Sequence, residues 1–175
     1  STPGAKSVRN FYSQASYGAF SIDPAEETYG TVNDGVIAVQ LGYAHPNSYP
    51  SDANNRLITR NALIAADGYI DFASLDVNSN GSLSVTELHL MIIARGFEKS
   101  YGGVVSACTP SVWGHRGSLA TTGGEPAPVL DGITVAAGTY GGGYTQEGEW
   151  HETTSTGCDG DAPGHMATIG IMAHE

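Results

Sequence analysis

His165-Met-Ala-Thr-Ile-Gly-Ile-Met-Ala-His174-Glu175 is the stretch on which the reading of this chain turns. Ile169, Met172 and Ala173 recur at helical spacing, so a helix is expected to begin near residue 165. It carries His174 and Glu175 at its end, with no Gly or capping residue behind them. Two His at i and i+4 on such a helix point the same way and grip one zinc ion, with a Glu beside the attacking water. The position that would complete H-E-x-x-H lies three residues beyond Glu175, so the domain is expected to continue past it. The chain holds its own control in His151-Glu152, where Ser155 stands in place of the second His. That pair is not the motif. A surface His-Glu pair is the plain alternative at His174.

Working back from this segment, Asp76-Val-Asn78-Ser-Asn80-Gly81-Ser82-Leu83-Ser84-Val-Thr-Glu87 fits the twelve-residue EF-hand loop at every constrained position. Asp76, Asn78 and Asn80 supply oxygens at positions 1, 3 and 5, and Gly81 permits the sharp turn. Ser82 offers its carbonyl, Ser84 can hold a water, and Glu87 closes the site with both oxygens. Two carboxylates imply modest affinity, of the kind suited to extracellular calcium. A polar Asn/Gly turn is the alternative. Leu88, Met91, Ile92 and Arg95 fit an exiting helix and Leu88, Leu90, Ile92 and Ala94 fit a strand equally well, while Gly68 and Ile70-Asp-Phe72 do not look helical before the loop. An EF-type loop running into a strand is therefore expected, not a full helix-loop-helix.

The remaining elements are sketched by pattern. Val8, Phe11, Tyr12 and Ala15 suit a helix capped by Ser7, and Tyr17 to Ile22 suits a strand. Gly35 to Tyr43 reads as a second, central strand. Ser51 or Asp52 starts a helix whose apolar residues include Leu57, Ile58, Ile64 and Ala65, ended by Asp67-Gly68. From Gly102 to Gly164 the chain is rich in Gly, Thr, Ser and Pro, and loops with short strands follow. Thr139 to Trp150 suits an edge strand able to accept a peptide backbone, or a plain Gly-rich hairpin. Gly141-Gly142-Gly143 is no phosphate loop, since no Lys-Ser or Lys-Thr follows.

Composition bounds the class. At 175 residues, 40% hydrophobic and 14% charged, the chain is one globular domain with room for a core. Seven basic against 18 acidic side chains, net charge −11, argue against nucleic acid and anionic membrane as partners. No apolar run reaches the roughly 18 residues that span a bilayer. Cys108 and Cys158 lack metal-ligand spacing. They can form one bridge in an oxidising compartment, worth about 4 kcal/mol by loop-closure entropy, or stand as two separate buried thiols.

The segment from His165 to Glu175 also resembles the approach to the active-site helix in the immune inhibitor A family of secreted zinc metallopeptidases, where it continues into Leu-Gly-His. Similar segments run through the chain in family order: Val8-Arg-Asn-Phe-Tyr12 with Ser16-Tyr-Gly18, Ile70-Asp-Phe72, Glu87-Leu-His-Leu90, Gly96-Phe-Glu98, Tyr101-Gly102, Trp113-Gly-His-Arg116 and Glu149-Trp-His151. The resemblance implies that His174 is the first zinc ligand and Glu175 the general base. It places the second His and an Asp, the third ligand, further on. A catalytic zinc needs three protein ligands, so residues 1–175 alone are expected to be inactive. His115 is expected to be structural beside Trp113, His89 a packing residue, and neither His151 nor His165 a ligand.

The expected fold is α+β: a zincin-like upper subdomain, with a mixed twisted sheet, a backing helix from residue 52 and the active-site helix cut at 175. One domain, 1–175, is the N-terminal part of a secreted, extracellular peptidase domain with protein or peptide substrates, zinc and calcium as cofactors, and a monomeric state. The rival reading is a non-catalytic extracellular calcium-binding module, which explains the acidity and the calcium loop without the segments quoted above.

Overall fold

A computed structural model of the chain describes residues 7–46, 52–99, 108–119, 125–138, 143–151, 165–166 and 172. The sequence begins its order with α1, Val8–Ala15, whose Ser7 side chain accepts the Asn10 amide at 3.1 Å as an N-cap. The helix stops in a Schellman turn: Gly18 N–H donates to Ser13 C=O at 2.7 Å and Tyr17 N–H to Gln14 C=O at 3.2 Å. Tyr17 takes the left-handed conformation, φ 54°. This corrects the strand expected from Tyr17 to Ile22, because residues committed to a helix cap cannot also extend. No residue of α1 is buried.

The second expected strand, Gly35 to Tyr43, is also absent. Its backbone enters at Gly35 (φ 75°) and leaves at Gly42 (φ 70°), and no ladder bond joins it to a neighbour. Leu41 packs against the cluster of Ile58, Ala94 and Val112, while Val36 stays exposed. A groove separates the segment from the sheet, floored by Ile58, Ile92 and Ala94. Apolar, β-branched composition reported that these residues pack against a sheet, not that they join it.

The helix from residue 52 is α2, Asp52–Ala66, followed by a turn of 3-10 helix at Asp67–Tyr69. It buries Asn55, Ile58, Thr59 and Leu63, while Ile64 stands 43% exposed. The inward stripe is thus half polar, rotated from the purely apolar one the sequence suggested.

After a short 3-10 helix at Phe72–Leu75 and the loop from Asp76, the chain enters β1, Met91–Glu98. Next come β2 (Ser111–Val112), β3 (His115–Gly117), β4 (Val129–Leu130), β5 (Ile133–Thr134), β6 (Tyr144–His151) and β7 (His165–Met166). The main sheet runs β2-β1-β6-β3, with β7 also pairing β6. β1 is parallel to β2 and β6, whereas β3 and β7 are antiparallel to β6. The architecture is therefore α+β with a mixed sheet and two helices. Gly96, at φ 136°, sits where the β1 register shifts, and a Cβ there would lie 2.8 Å from Pro110 O.

β6 is interior, bonded on both edges, which corrects its expected place at the sheet edge. His165 and Met166 are likewise a strand, not the start of a helix: Trp150 faces Met166 and His151 faces His165. A free edge of β6 beyond β3 supplies those ladder bonds. Met172 is helical, and the rest of the segment beyond Met166, His174 and Glu175 included, lies outside the described residues.

The larger core joins Leu63, Phe72, Leu83, Leu119, Leu130, Val135, Ala136 and Tyr144, and the smaller joins Ile58, Ala94 and Val112. Among the described residues no helix is long and apolar enough to cross a membrane. Cys108 is disulfide-bonded, and Cys158 lies outside the described residues.

Candidate calcium loop

The loop from Asp76 to Glu87 is fixed at both ends before any ligand is considered. Asp71 caps the 3-10 helix, its carboxylate accepting the Ala73 amide at 3.0 Å and the Ser74 amide at 3.3 Å. Asp131, from the β4–β5 turn, accepts the Phe72 amide at 2.9 Å. Phe72 itself is 1% exposed and anchors the entry in the larger core, with Leu75 packed against it. Leu83 anchors the middle and Leu88 the exit. Phe72, Leu75, Leu83 and Leu88 thus form an apolar footing for a polar loop.

Within the loop the side chains fold over their own backbone. Asp76 accepts the Asn80 amide at 3.1 Å with Oδ1 and the Gly81 amide at 2.8 Å with Oδ2. Asn78 Oδ1 accepts the Asn80 amide at 3.1 Å, and Asn80 Oδ1 accepts the Ser82 amide at 2.9 Å. Successive turns of this kind require left-handed backbone, taken by Ser79 (φ 56°) and Gly81 (φ 79°). Glu87 then closes the ring from the far end. Its Oε1 accepts Asn78 Nδ2 at 2.7 Å, and its Oε2 accepts the Ser84 hydroxyl at 2.7 Å and the Ser84 amide at 3.0 Å.

Those bonds hold the Glu87 carboxyl below its ordinary value, with the Ser84 amide the largest contributor and the Ser84 hydroxyl next. The same bonds favour the ionised form of Glu87, the form that binds a cation. Asp76, Asn78 and Asn80 fold onto backbone amides of their own loop and Glu87 holds the Asn78 side chain; their oxygens are hard donors, of the kind calcium takes. The flanks depart from a full EF-hand. A four-residue 3-10 helix leads in, and a turn over residues 85–87 leads to β1.

The other singled-out residues are distributed as follows. His115 bridges Trp113 and Tyr144: its Nδ1 lies 2.6 Å from Trp113 O and its Nε2 3.2 Å from Tyr144 Oη. It braces β3 against β6. His89 is exposed at the entry to β1, and partial desolvation of its ring lowers its pKa from the ordinary value. His151 is 2% exposed on β6. Among the described residues no three of His, Cys, Asp and Glu are grouped to hold a metal. The calcium loop offers only two carboxylates among amides and carbonyls.

Sequence reasoning missed Glu98. It is fully buried, and its Oε1 and Oε2 accept the amides of Gly114 and Gly148, each at 2.7 Å. One carboxylate thereby ties β1 to the β2–β3 connection and to β6. A Cβ on Gly148 would lie 2.6 Å from Glu98 N, so the bare glycine admits the contact. A charged residue ending an apolar strand just before a Lys gave no signal for this.

No protein-family model, curated protein or solved structure matches the chain.

Proposed function

We propose that this chain is the calcium-binding part of a secreted zinc metallopeptidase domain of the immune inhibitor A type. The observation that carries the calcium half is the hydrogen-bonded loop in which Asp76 and Asn78 hold the Asn80 amide and Glu87 reaches back to Asn78. Ser82 adds its backbone carbonyl. The loop lies over the larger core, so holding it closed secures the entry to β1 and resists proteolysis.

The peptidase half rests on the ordered run of family-like segments ending in His174-Glu175. It also accords with the α+β arrangement of a mixed sheet and a helix, for which a zincin-like upper subdomain is the specific form proposed. His174 would hold zinc and Glu175 would take a proton from the attacking water, while the bound ion would supply Lewis acidity. His and Asp ligands beyond Glu175 would complete the site. The substrates would be proteins or peptides, met outside the cell.

The test is hydrolysis of an unstructured protein substrate by the full encoded polypeptide. Turnover that a zinc chelator abolishes, and that Glu175→Gln lowers by at least about a hundredfold, is the expected result. Residues 1–175 alone should show none. Turnover insensitive to Glu175→Gln would remove the peptidase reading and leave the second one. That second reading, an extracellular calcium-binding module without catalysis, is favoured by the hydrogen-bonded loop from Asp76 to Glu87, which draws on no residue of the His174-Glu175 pair.

A further inference from the structure

Two main-chain hydrogen bonds join the candidate calcium loop to a neighbour distant in sequence. Leu83 N–H donates to Thr134 C=O at 3.0 Å, and Thr134 N–H donates to Gly81 C=O at 2.9 Å. They straddle Ser82, which forms an isolated parallel bridge with Thr134. Thr134 ends β5, and β4 and β5 form a two-residue hairpin turned by Asp131 (φ 49°) and Gly132 (φ 83°). The same turn reaches back with Asp131 to the Phe72 amide. The hairpin therefore grips the loop twice, at its entry and at its middle.

Gly81 is the shared joint. Its N–H is held by Asp76 Oδ2 at 2.8 Å and its C=O by Thr134 N–H at 2.9 Å. Both of its main-chain groups are thus engaged, one by the loop's own Asp76 and the other by the hairpin. Beyond Thr134 the connection continues through main chain. Ala136 C=O accepts the Leu119 amide at 2.8 Å, and Gly117 C=O accepts the Gly143 amide at 3.0 Å. Gly117 belongs to β3, which lies at the end of the main sheet's path. Leu83, Leu130, Val135, Ala136 and Leu119 also share one core cluster, so the same route is packed as well as bonded.

We propose that the Asp76–Glu87 loop, the β4–β5 hairpin and β3 form one calcium-responsive unit, in which closing the loop orders the hairpin and stiffens the outer strand of the sheet. This rests on the calcium reading of the loop. Asp76 carries the signal in through Gly81, and Thr134 passes it to the hairpin. The coupling is reciprocal, so weakening the hairpin weakens calcium binding by the same factor.

Amide hydrogen exchange of the chain, in saturating calcium and in a calcium chelator, tests this. Residues 129–136 and 117–119 should exchange about tenfold more slowly with calcium, together with the loop, while α1 stays unchanged. Calcium binding by calorimetry with protection confined to the loop would overturn the coupling and leave the calcium site standing. No binding at all would remove the calcium reading, and the coupling with it. Thr134→Pro deletes the donor to Gly81 without removing any oxygen offered to calcium. It should weaken calcium about fivefold, the equivalent of one main-chain hydrogen bond, and a folded variant with unchanged affinity would also overturn the proposal. If that variant fails to fold, the exchange rates of the unsubstituted chain decide.

Discussion

Tyr17 shows how a single residue can mislead a pattern. It closes the α1 cap at φ 54°, with its side chain 99% exposed. Nothing rewards a β-prone aromatic there, and a left-handed L-residue is strained. Tyr17→Gly should therefore stabilise the chain by about 0.5–1 kcal/mol in thermal or denaturant unfolding, and a loss of stability would contradict the assigned cap. Glu87 makes the opposite case, since its position was legible from the twelve-residue spacing alone. Its hydrogen bonds from Ser84 and Asn78 favour the ionised form, so its folded pKa lies below 4.5. A depressed carboxyl contributes its stability in full above that value and loses it as pH falls through the lower, folded one. Calcium affinity should accordingly hold from about pH 7 to about pH 5 and fall only in more acid solution. A fall already complete by about pH 6 would point to a histidine in control. Glu98 stayed illegible because its partners, Gly114 and Gly148, are backbone amides brought near by β pairing, which no local pattern encodes.

Elements were readable where local chemistry sets them and unreadable where a neighbour does. Ser7 announces α1 because a cap acts within four residues. The loop from Asp76 is readable for the same reason, its ligands and its turn lying within twelve residues. Gly35 to Tyr43 carried the composition of a central strand, yet whether it pairs depends on the distance to β1, a tertiary quantity. The β4–β5 hairpin went unread, although Asp131-Gly132 is a strong turn signal. Its flanking strands are only two residues each, too short for a period to register. Leu83 is the element-scale test of the loop's foundation. It is 5% exposed and packs with Phe72 and Leu130 beneath the polar ring. Leu83→Ala should cost about 2–4 kcal/mol in denaturant unfolding. A cost below about 1 kcal/mol would mean that the loop floats free of the core.

For the whole molecule, the α+β class was legible from helical spacing at α2 and alternation after Leu88, while the topology was not. The parallel pairing of β1 with β6 joins strands about fifty residues apart, a long-range contact that no local pattern encodes. The interior position of β6 follows from that pairing, and with it the loss of the expected peptide-accepting edge. Glu98, buried at the end of β1, ties β1 to β6 and to the β2–β3 connection, and the loop from Asp76 to Glu87 stands before its start. One strand thus has a carboxylate lock at one end and a candidate metal site at the other.

Isothermal titration of the chain with calcium, after exhaustive chelation, is the most direct test of this account. It predicts one site with a Kd of roughly 10⁻⁴–10⁻³ M or tighter, as in extracellular modules, a rise in melting temperature on binding, and loss of both in Asp76→Ala. A chain that takes up no calcium at millimolar concentration, and melts at the same temperature with and without it, would contradict the account.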